Sequence, residues 1–549
     1  MAIPSIAVCT TALEQGDADH ALQLAIERLR HDKDDAEALT VCYRAYAQKN
    51  DHANAIKVLE IIMQKDPQAY WAYAALGKHL QAAGKLSSAE EILRKAVEEC
   101  PDDVSIHAEL GVLFSELNRL EAGEWHLRRA LEIDGADCDV LTNLGLNLAQ
   151  QSKADAADAA YSKALDIEPR NLRALGYRAK LKEVQGDIAA AKALLERAKN
   201  VQPGSVSLLE AQLQLRIGNP EEALAILNNA QRLNGDALLE RARVRDRLAD
   251  YGGAWNDASE AKRRLAAEAG GLIYNATGVE SFFAELKRTF DARFLKAMPR
   301  AALRPDVPQP VFITGAPRSG TTLLERILGA HACIESAGEL PFVGEFREVS
   351  ERMLARGSFP QNFSALHAAD QRGLAAQLRD TYLHRRSERM SCAADTRFVT
   401  DKMPFNEMYL PLIRMAFPHS PVIHLSRNRL DTAVSIFFNK LNHGFHCGYR
   451  FDDIIHHLDA MVELLGYYRR EFDPRLLDVE YESLVEDTEG EVRRMLGHIG
   501  LDYEPSCLRY YERREYVATP SYDEVSRRPN STSVGRHRNY LAWIGKFAA

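Results

Sequence analysis

Val311-Phe-Ile-Thr-Gly-Ala-Pro-Arg-Ser-Gly-Thr-Thr-Leu-Leu-Glu-Arg-Ile-Leu328 joins two kinds of pattern. Its opening, Val311 to Gly315, is a short apolar run suited to a buried parallel strand, and Thr321 to Leu328 carries apolar residues at helical spacing. The glycine-bearing loop between them, Gly315-Ala-Pro-Arg-Ser-Gly-Thr-Thr322, aims backbone N–H groups and a helix N-terminus at one point. Such a strand-to-helix loop is an anion site by geometry, and the expectation is a phosphate cradle.

The loop spacing is almost that of the nucleotide P-loop, G-x-x-x-x-G-K-[ST], but Thr321 stands where the lysine belongs. ATP and GTP enzymes use that lysine on the outer phosphates, usually with magnesium, so its loss counts against a nucleotide kinase or an ATPase. Arg318 supplies a cation from inside the loop instead. Strands and helices alternate from Val311 to about Gly497, which predicts a three-layer, P-loop-like α/β domain with a parallel sheet. Its later segments include the strand end Asp401-Lys-Met-Pro-Phe405 and the strand and helix Val422-Ile-His-Leu-Ser-Arg-Asn-Arg-Leu-Asp-Thr-Ala-Val-Ser435. Tyr481-Glu-Ser-Leu484 follows the apolar Leu476-Leu-Asp-Val479, and Ser531-Thr-Ser-Val-Gly-Arg-His-Arg-Asn-Tyr540 comes last.

Together these segments resemble the sulfotransferase family, in particular the branch containing the protein-tyrosine sulfotransferases, and the resemblance runs from Val311 to Tyr540. It implies a donor, 3'-phosphoadenosine 5'-phosphosulfate (PAPS), and no metal. Pro317, Arg318, Ser319, Gly320, Thr321 and Thr322 become the 5'-phosphosulfate loop, and Arg427 and Ser435 the ligands of the 3'-phosphate. Lys402 becomes a contact to the transferring sulfuryl group and Tyr481 a contact to the adenosine part. Ser533 and Arg536 lie in the late loop that closes over the 3'-phosphate, although many relatives have Arg-Lys-Gly where this chain has Ser531-Thr-Ser533. Structural alternatives stay open: a surface pair of Arg427 with Asp431, a solvated Lys402, and Tyr481 as simple packing.

Sulfuryl transfer is an in-line displacement at sulfur, so a site must position the acceptor oxygen, take its proton and steady charge on the bridging oxygen of the leaving nucleotide. Arg318 and Lys402, with N–H groups near Thr321 and Thr322, supply the positive field. Glu339, within Ser336-Ala-Gly-Glu-Leu-Pro-Phe342, stands where the resemblance expects the general base, with Glu335 and Glu345 as nearby alternatives. Burial beside Leu340-Pro341-Phe342 is expected to raise its pKa from about 4.3 toward about 6–7. The tyrosylprotein branch has two adjacent glutamates after the glycine; here the second is Leu340. His331 and His424 read as structural histidines, and Arg385-Arg386 and Arg513-Arg514 as solvated faces.

Upstream, the sequence repeats every 34 residues: alanine at Ala96, Ala130, Ala164 and Ala198, Leu-Gly ending at Gly77, Gly111 and Gly145, and proline at Pro67, Pro101, Pro169 and Pro203. Pairs of helices account for this, with small residues where helices touch and proline between units. Trp71-Ala-Tyr-Ala-Ala-Leu-Gly77 and Ala89-Glu-Glu-Ile-Leu-Arg-Lys-Ala96 resemble the tetratricopeptide repeat, and about seven units fit between Ile6 and Leu265. The expected organisation is an α-solenoid superhelix over 1–265, a helical linker over 266–310 and the sulfotransferase-like domain over 311–549. The linker reads as a turn at Gly270-Gly271, one packed helix from Val279 to Leu295, and an extended stretch from Met298 to Pro310. The resemblance implies a groove for a protein or peptide segment; the alternative is an array that props up the catalytic half or joins it into a homodimer.

A formal charge of −9 over 549 residues argues against nucleic acid as a partner. The eight cysteines are scattered singly with no C-x-x-C pair, which reads as free thiols in a reducing compartment. Met1 to Asp17 lacks the pattern of a leader, and no apolar run reaches the length of a membrane span. The expectation is therefore a cytoplasmic enzyme with an acceptor hydroxyl on a protein or peptide tyrosine, a glycan, a lipid head group or a small molecule. The competing readings are a non-catalytic scaffold with a vestigial nucleotide site, against which Glu339 and Lys402 both stand, a nucleotide kinase, and a repeat-bearing glycosyltransferase, which leaves Arg427 and Ser435 unexplained.

Overall fold

The computed structural model describes residues 3–117, 119–151, 153–230, 233–268, 274–354, 357–365, 371–441, 446–472, 475–512, 528 and 531–547. Gly270-Gly271 and Arg513-Arg514 lie outside the described residues. The chain divides into two compact units, Met1–Val206 and Ser207–Ala549.

The first unit is built of paired helices, from Ile6–Glu14 with Ala18–His31 to Leu172–Gln185 with Ile188–Val201. Many begin on a side-chain cap that satisfies an otherwise orphaned N–H: Asp17, Asp35, Asp51, Asp103, Asp137, Asn171 and Asp187 each accept from the backbone N–H three residues on. The 34-residue marks sit where helices meet. Ala96, Ala130, Ala164 and Ala198 are fully buried. A Cβ on Gly111 would lie 2.5 Å from Leu127 Cγ, and one on Gly145 would lie 2.5 Å from the Tyr161 ring, so only glycine lets these helices approach.

The second unit opens with four more helices, Ser207–Arg216, Pro220–Asn229, Gly235–Arg247 and Tyr251–Glu268. Among the described residues the repeat helices thus form eight pairs rather than about seven. The single helix expected from Val279 to Leu295 is two, Ala276–Thr289 and Ala292–Ala297. Asp291 breaks it by capping the second, accepting from Phe294 N–H at 2.7 Å. Phe283, Leu286, Phe290 and Leu295 of these helices join the apolar core of the α/β part.

Five strands form one parallel sheet: β1 Gln309–Thr314, β2 Ile334–Ser336, β3 Phe398–Lys402, β4 Val422–Ser426 and β5 Leu476–Glu480, in the order β2-β3-β1-β4-β5. Helices cover both faces, as a parallel sheet requires. Phe312 and Val422 meet Tyr382, Leu412 and Leu464 on one side. Val311, Ile313, Ile423 and Leu425 meet Leu324 and Leu496 on the other. β1 is central, and the loop that follows it is flanked by the ends of β3 and β4. Among the described residues no helix is long and apolar enough to cross a membrane, and all eight cysteines are free.

Replacing Gly111 by Ala is expected to lower the denaturation midpoint of the chain despite alanine's better helix propensity, because overpacking against Leu127 costs about 1–3 kcal/mol. A urea titration followed by circular dichroism measures it.

Candidate active site

The loop after β1 is shaped by backbone that side chains rarely adopt: φ is 146° at Gly315, 69° at Arg318 and 107° at Gly320. A Cβ on Gly315 would meet Leu425 O at 2.5 Å, and one on Gly320 would meet the Tyr481 ring at 2.5 Å. The helix Thr321–Gly329 starts directly at the loop, with Ser319, Thr321 and Thr322 all buried. Arg318, non-glycine yet left-handed, carries strain of the kind that collects at binding sites.

On one side of the loop stand the residues after β4. Arg427 donates from Nη1 to Arg318 O at 3.1 Å and from Nη2 to Ser533 O at 2.6 Å, and its guanidinium lies 4.6 Å from the centre of the Tyr481 ring. Arg318 Nε donates to Ser435 Oγ at 3.1 Å, and Tyr481 OH bonds Ser533 Oγ at 2.9 Å. Five expected residues thus meet: Arg318, Arg427, Ser435, Tyr481 and Ser533. Arg427 does not take Asp431 as partner. Asp431, 2% exposed, accepts from Gly535 N–H at 2.6 Å, His537 N–H at 2.7 Å and His537 Nδ1 at 2.8 Å, which fastens the late loop to the helix Arg429–Phe437. A cleft of about 400 Å³ lies here, lined by Arg427, Asp431, Glu482, Gly535, His537 and Arg538.

On the other side, Lys402 ends β3 in register with Ile313 of β1 and is 2% exposed. Its Nζ donates to Glu339 Oε1 at 2.5 Å. Of the three glutamates read as candidate bases only Glu339 makes this pair: Glu335 accepts from Ala393 N–H and Thr396 Oγ1, and Glu345 pairs with Arg385 at 3.2 Å. The apolar enclosure expected around Glu339 is not what forms. Its side chain is 35% exposed while Leu340 and Phe342 turn inward.

A glycine-shaped loop thus has Arg427 and Ser435 on one side and a lysine–glutamate pair on the other. Residues 310–505 match the model of the sulfotransferase family. Residues 71–113 and 139–171 match tetratricopeptide-repeat models. An uncharacterized protein of Aquifex aeolicus is 34% identical over 244 residues, covering 43% of this chain; the matched stretch spans only 31% of that protein's length. A putative protein-tyrosine sulfotransferase of Caenorhabditis briggsae is 23% identical over 208 residues, covering 37% of this chain and 70% of that protein. A solved tetratricopeptide-repeat protein from Parabacteroides merdae aligns at 19% identity with a TM-score of 0.36, covering 42% of this chain and 93% of that one.

In the α/β part the buried carboxyls Glu325 and Asp401 are among those that escaped the sequence reading. Glu325, on the helix after the loop, accepts from Gly338 N–H at 2.9 Å and Thr400 Oγ1 at 2.8 Å. Lys402 N–H in turn donates to Gly338 O at 2.9 Å, so the Glu339 segment is clasped between helix and strand. Burial raises the Glu325 pKa, against the pull of Lys402. Burial also pushes Asp401 up to about 8, while it accepts from Tyr382 OH at 2.9 Å. Arg386, read as a solvated face, is 5% exposed. His331 is structural, bonded to Asp502 O at 3.1 Å and accepting from Cys333 N–H at 3.0 Å. Arg536 turns away from the loop: its Nη2 pairs with Asp246 at 3.0 Å and its guanidinium lies over Phe438.

Glu325→Ala is expected to lower stability by about 2–4 kcal/mol, since Gly338 N–H and Thr400 Oγ1 lose their acceptor inside the core. Glu325→Gln retains an acceptor oxygen there and loses far less; denaturant midpoints of the two variants make the comparison.

Proposed function

We propose that the chain is a sulfotransferase that moves a sulfuryl group from PAPS to an acceptor hydroxyl, with protein or peptide tyrosine as the acceptor class. The observation that carries the reading is the bracketing of one anion loop by Arg427 and Ser435 on one flank and by Lys402 and Glu339 on the other. The protein-tyrosine name of the Caenorhabditis relative and a repeat array suited to holding a protein segment support the acceptor class. Free thiols and a chain without a cysteine pair fit a cytoplasmic setting. The functional divisions we propose are 1–265 for the repeats, 266–310 for the helical linker and 311–549 for transfer.

In this reading Pro317 to Thr322 present loop N–H groups and a helix N-terminus to the 5'-phosphosulfate, Arg318 adds a cation, and Arg427, Ser435 and Ser533 hold the 3'-phosphate. Tyr481 lines the adenosine side. PAPS supplies a sulfuryl group on a good leaving group. The acceptor oxygen forms the new bond to sulfur while the bond from sulfur to the bridging oxygen breaks, its electron pair leaving on the 5'-phosphate. Glu339 takes the acceptor proton. Lys402 aims the Glu339 carboxylate beforehand and faces the charge that grows on the bridging oxygen. Arg536, within the late loop, ties that loop to Asp246 of the helix Gly235–Arg247.

Titration calorimetry with 3'-phosphoadenosine 5'-phosphate (PAP), beside ADP and ATP with magnesium, tests the donor: tight binding that needs the 3'-phosphate is expected, and binding of ATP alone would overturn the reading. Arg427→Ala is expected to weaken PAP binding by about 1.5–3 kcal/mol, the value of a charge-assisted hydrogen bond. Glu339→Gln is expected to leave PAP affinity nearly intact and to lower turnover roughly 10²–10⁴-fold; a fully active variant would move the base elsewhere.

A further inference from the structure

The last helix pair of the repeat series, Gly235–Arg247 and Tyr251–Glu268, reaches both elements that frame the 3'-phosphate side of the site. Lys262 is 3% exposed, and its ammonium donates to Asn439 O at 2.6 Å and Ile436 O at 3.3 Å. Ile436 O lies at the end of the helix Arg429–Phe437 and also accepts from Asn439 N–H, so Lys262 Nζ ties the last turn of that helix to the residues just after it. That helix carries Ser435 and Asp431, and Asn439 Nδ2 returns to Ser435 O at 2.7 Å. Asp246 grips the late loop from its outer side, accepting from Tyr540 OH and from Arg536 Nη2. Trp255 fills the space between, its ring centre 4.9 Å from that of Phe437 and 5.9 Å from that of Tyr540.

The late loop is therefore pinned at two points, by Asp431 from the helix and by Asp246 from the repeat, and the helix itself is fixed at its far end by Lys262. We propose that Lys262 and Asp246 are positioning residues of the donor site: through Ser435 and the Ser531–Tyr540 loop they set the geometry that recognises the 3'-phosphate of the nucleotide. This rests on the PAPS reading above. It gives the last repeat pair a part in nucleotide recognition rather than in holding a partner.

A positioning role predicts a loss confined to the 3'-phosphate, which separates it from plain support of the fold. The full-length chain and its Lys262→Met, Asp246→Asn and Tyr540→Phe variants are titrated with PAP and with adenosine 5'-monophosphate, and their melting temperatures are recorded. Lys262→Met and Asp246→Asn are expected to weaken PAP about tenfold while the monophosphate moves less than about threefold, as for loss of one hydrogen bond to a charged group. Tyr540→Phe, which removes only a hydroxyl, follows the same pattern more weakly and serves where either other variant does not fold. Unchanged PAP affinity in the variants overturns the inference, as does a parallel loss for both nucleotides in step with melting temperature. A wild-type chain that binds no PAP removes the donor reading itself, and this inference with it.

Discussion

The guanidinium of Arg427 holds together three stretches of chain that are far apart in sequence: the phosphate loop through Arg318 O, the late loop through Ser533 O, and the segment after β5 through the face of Tyr481. An arginine suits this task because its donors are fixed in a plane and its flat face stacks on a ring. The contact also sets the loop. With its carbonyl fixed by Arg427, Arg318 is kept in the left-handed region and its side chain reaches Ser435. One cation thus couples backbone strain to the side chain that would meet a ligand, and the glycines at 315 and 320 are what allow strand, ring and helix to stand this close.

The opposite flank obeys a different constraint. Lys402 is almost fully buried at the end of a central strand, where an unpaired ammonium would be costly, so it requires a carboxylate. Glu339 provides it from the solvent side, while Glu325 lies on the core side, where burial opposes its ionisation. The geometry assigns the two glutamates different work. Glu325 accepts backbone and hydroxyl hydrogen bonds and shapes the segment, whereas Glu339 is partly exposed and pairs with Lys402.

Features written locally were legible in the sequence. A strand, a glycine loop and a helix follow one another within Val311 to Leu328, and a repeat of 34 residues advertises itself through its small residues, so the loop, the parallel sheet and the helix pairs could be read directly. Arg427, Ser435, Lys402 and Glu339 were named because the motifs that hold them resemble those of sulfotransferases, not through any rule of spacing. The rest depends on contacts between distant segments, for which no local pattern exists. Asp431 looks like a surface partner for Arg427 four positions away, yet it serves a loop about a hundred residues downstream. Arg536 has the charge for a phosphate contact, and only the fold shows Asp246 opposite it. Glu325 reads as one polar position on an amphipathic helix until Thr400 and Gly338 are placed beside it. Asp291 hid a helix break because a cap residue in mid-pattern resembles any other polar position.

The compact units divide at Val206 and Ser207, within the repeat series rather than at its end. A stack of helix pairs cannot leave an apolar face open at its last member, and solenoids commonly close with a polar capping helix. This chain closes its series differently. Ala242, Ala254 and Ala258 of the last pair are fully buried in a cluster with Val434, Phe437, Phe438 and Tyr540, so the α/β domain itself supplies the cover. Small residues on the repeat side and aromatic residues on the domain side leave little room for sliding, because a shift would drive ring edges into helix backbone. The elements so covered are the helix that carries Ser435 and the loop that carries Ser533. The capping requirement of the solenoid and the fixing of that helix and loop are therefore met by the same surface.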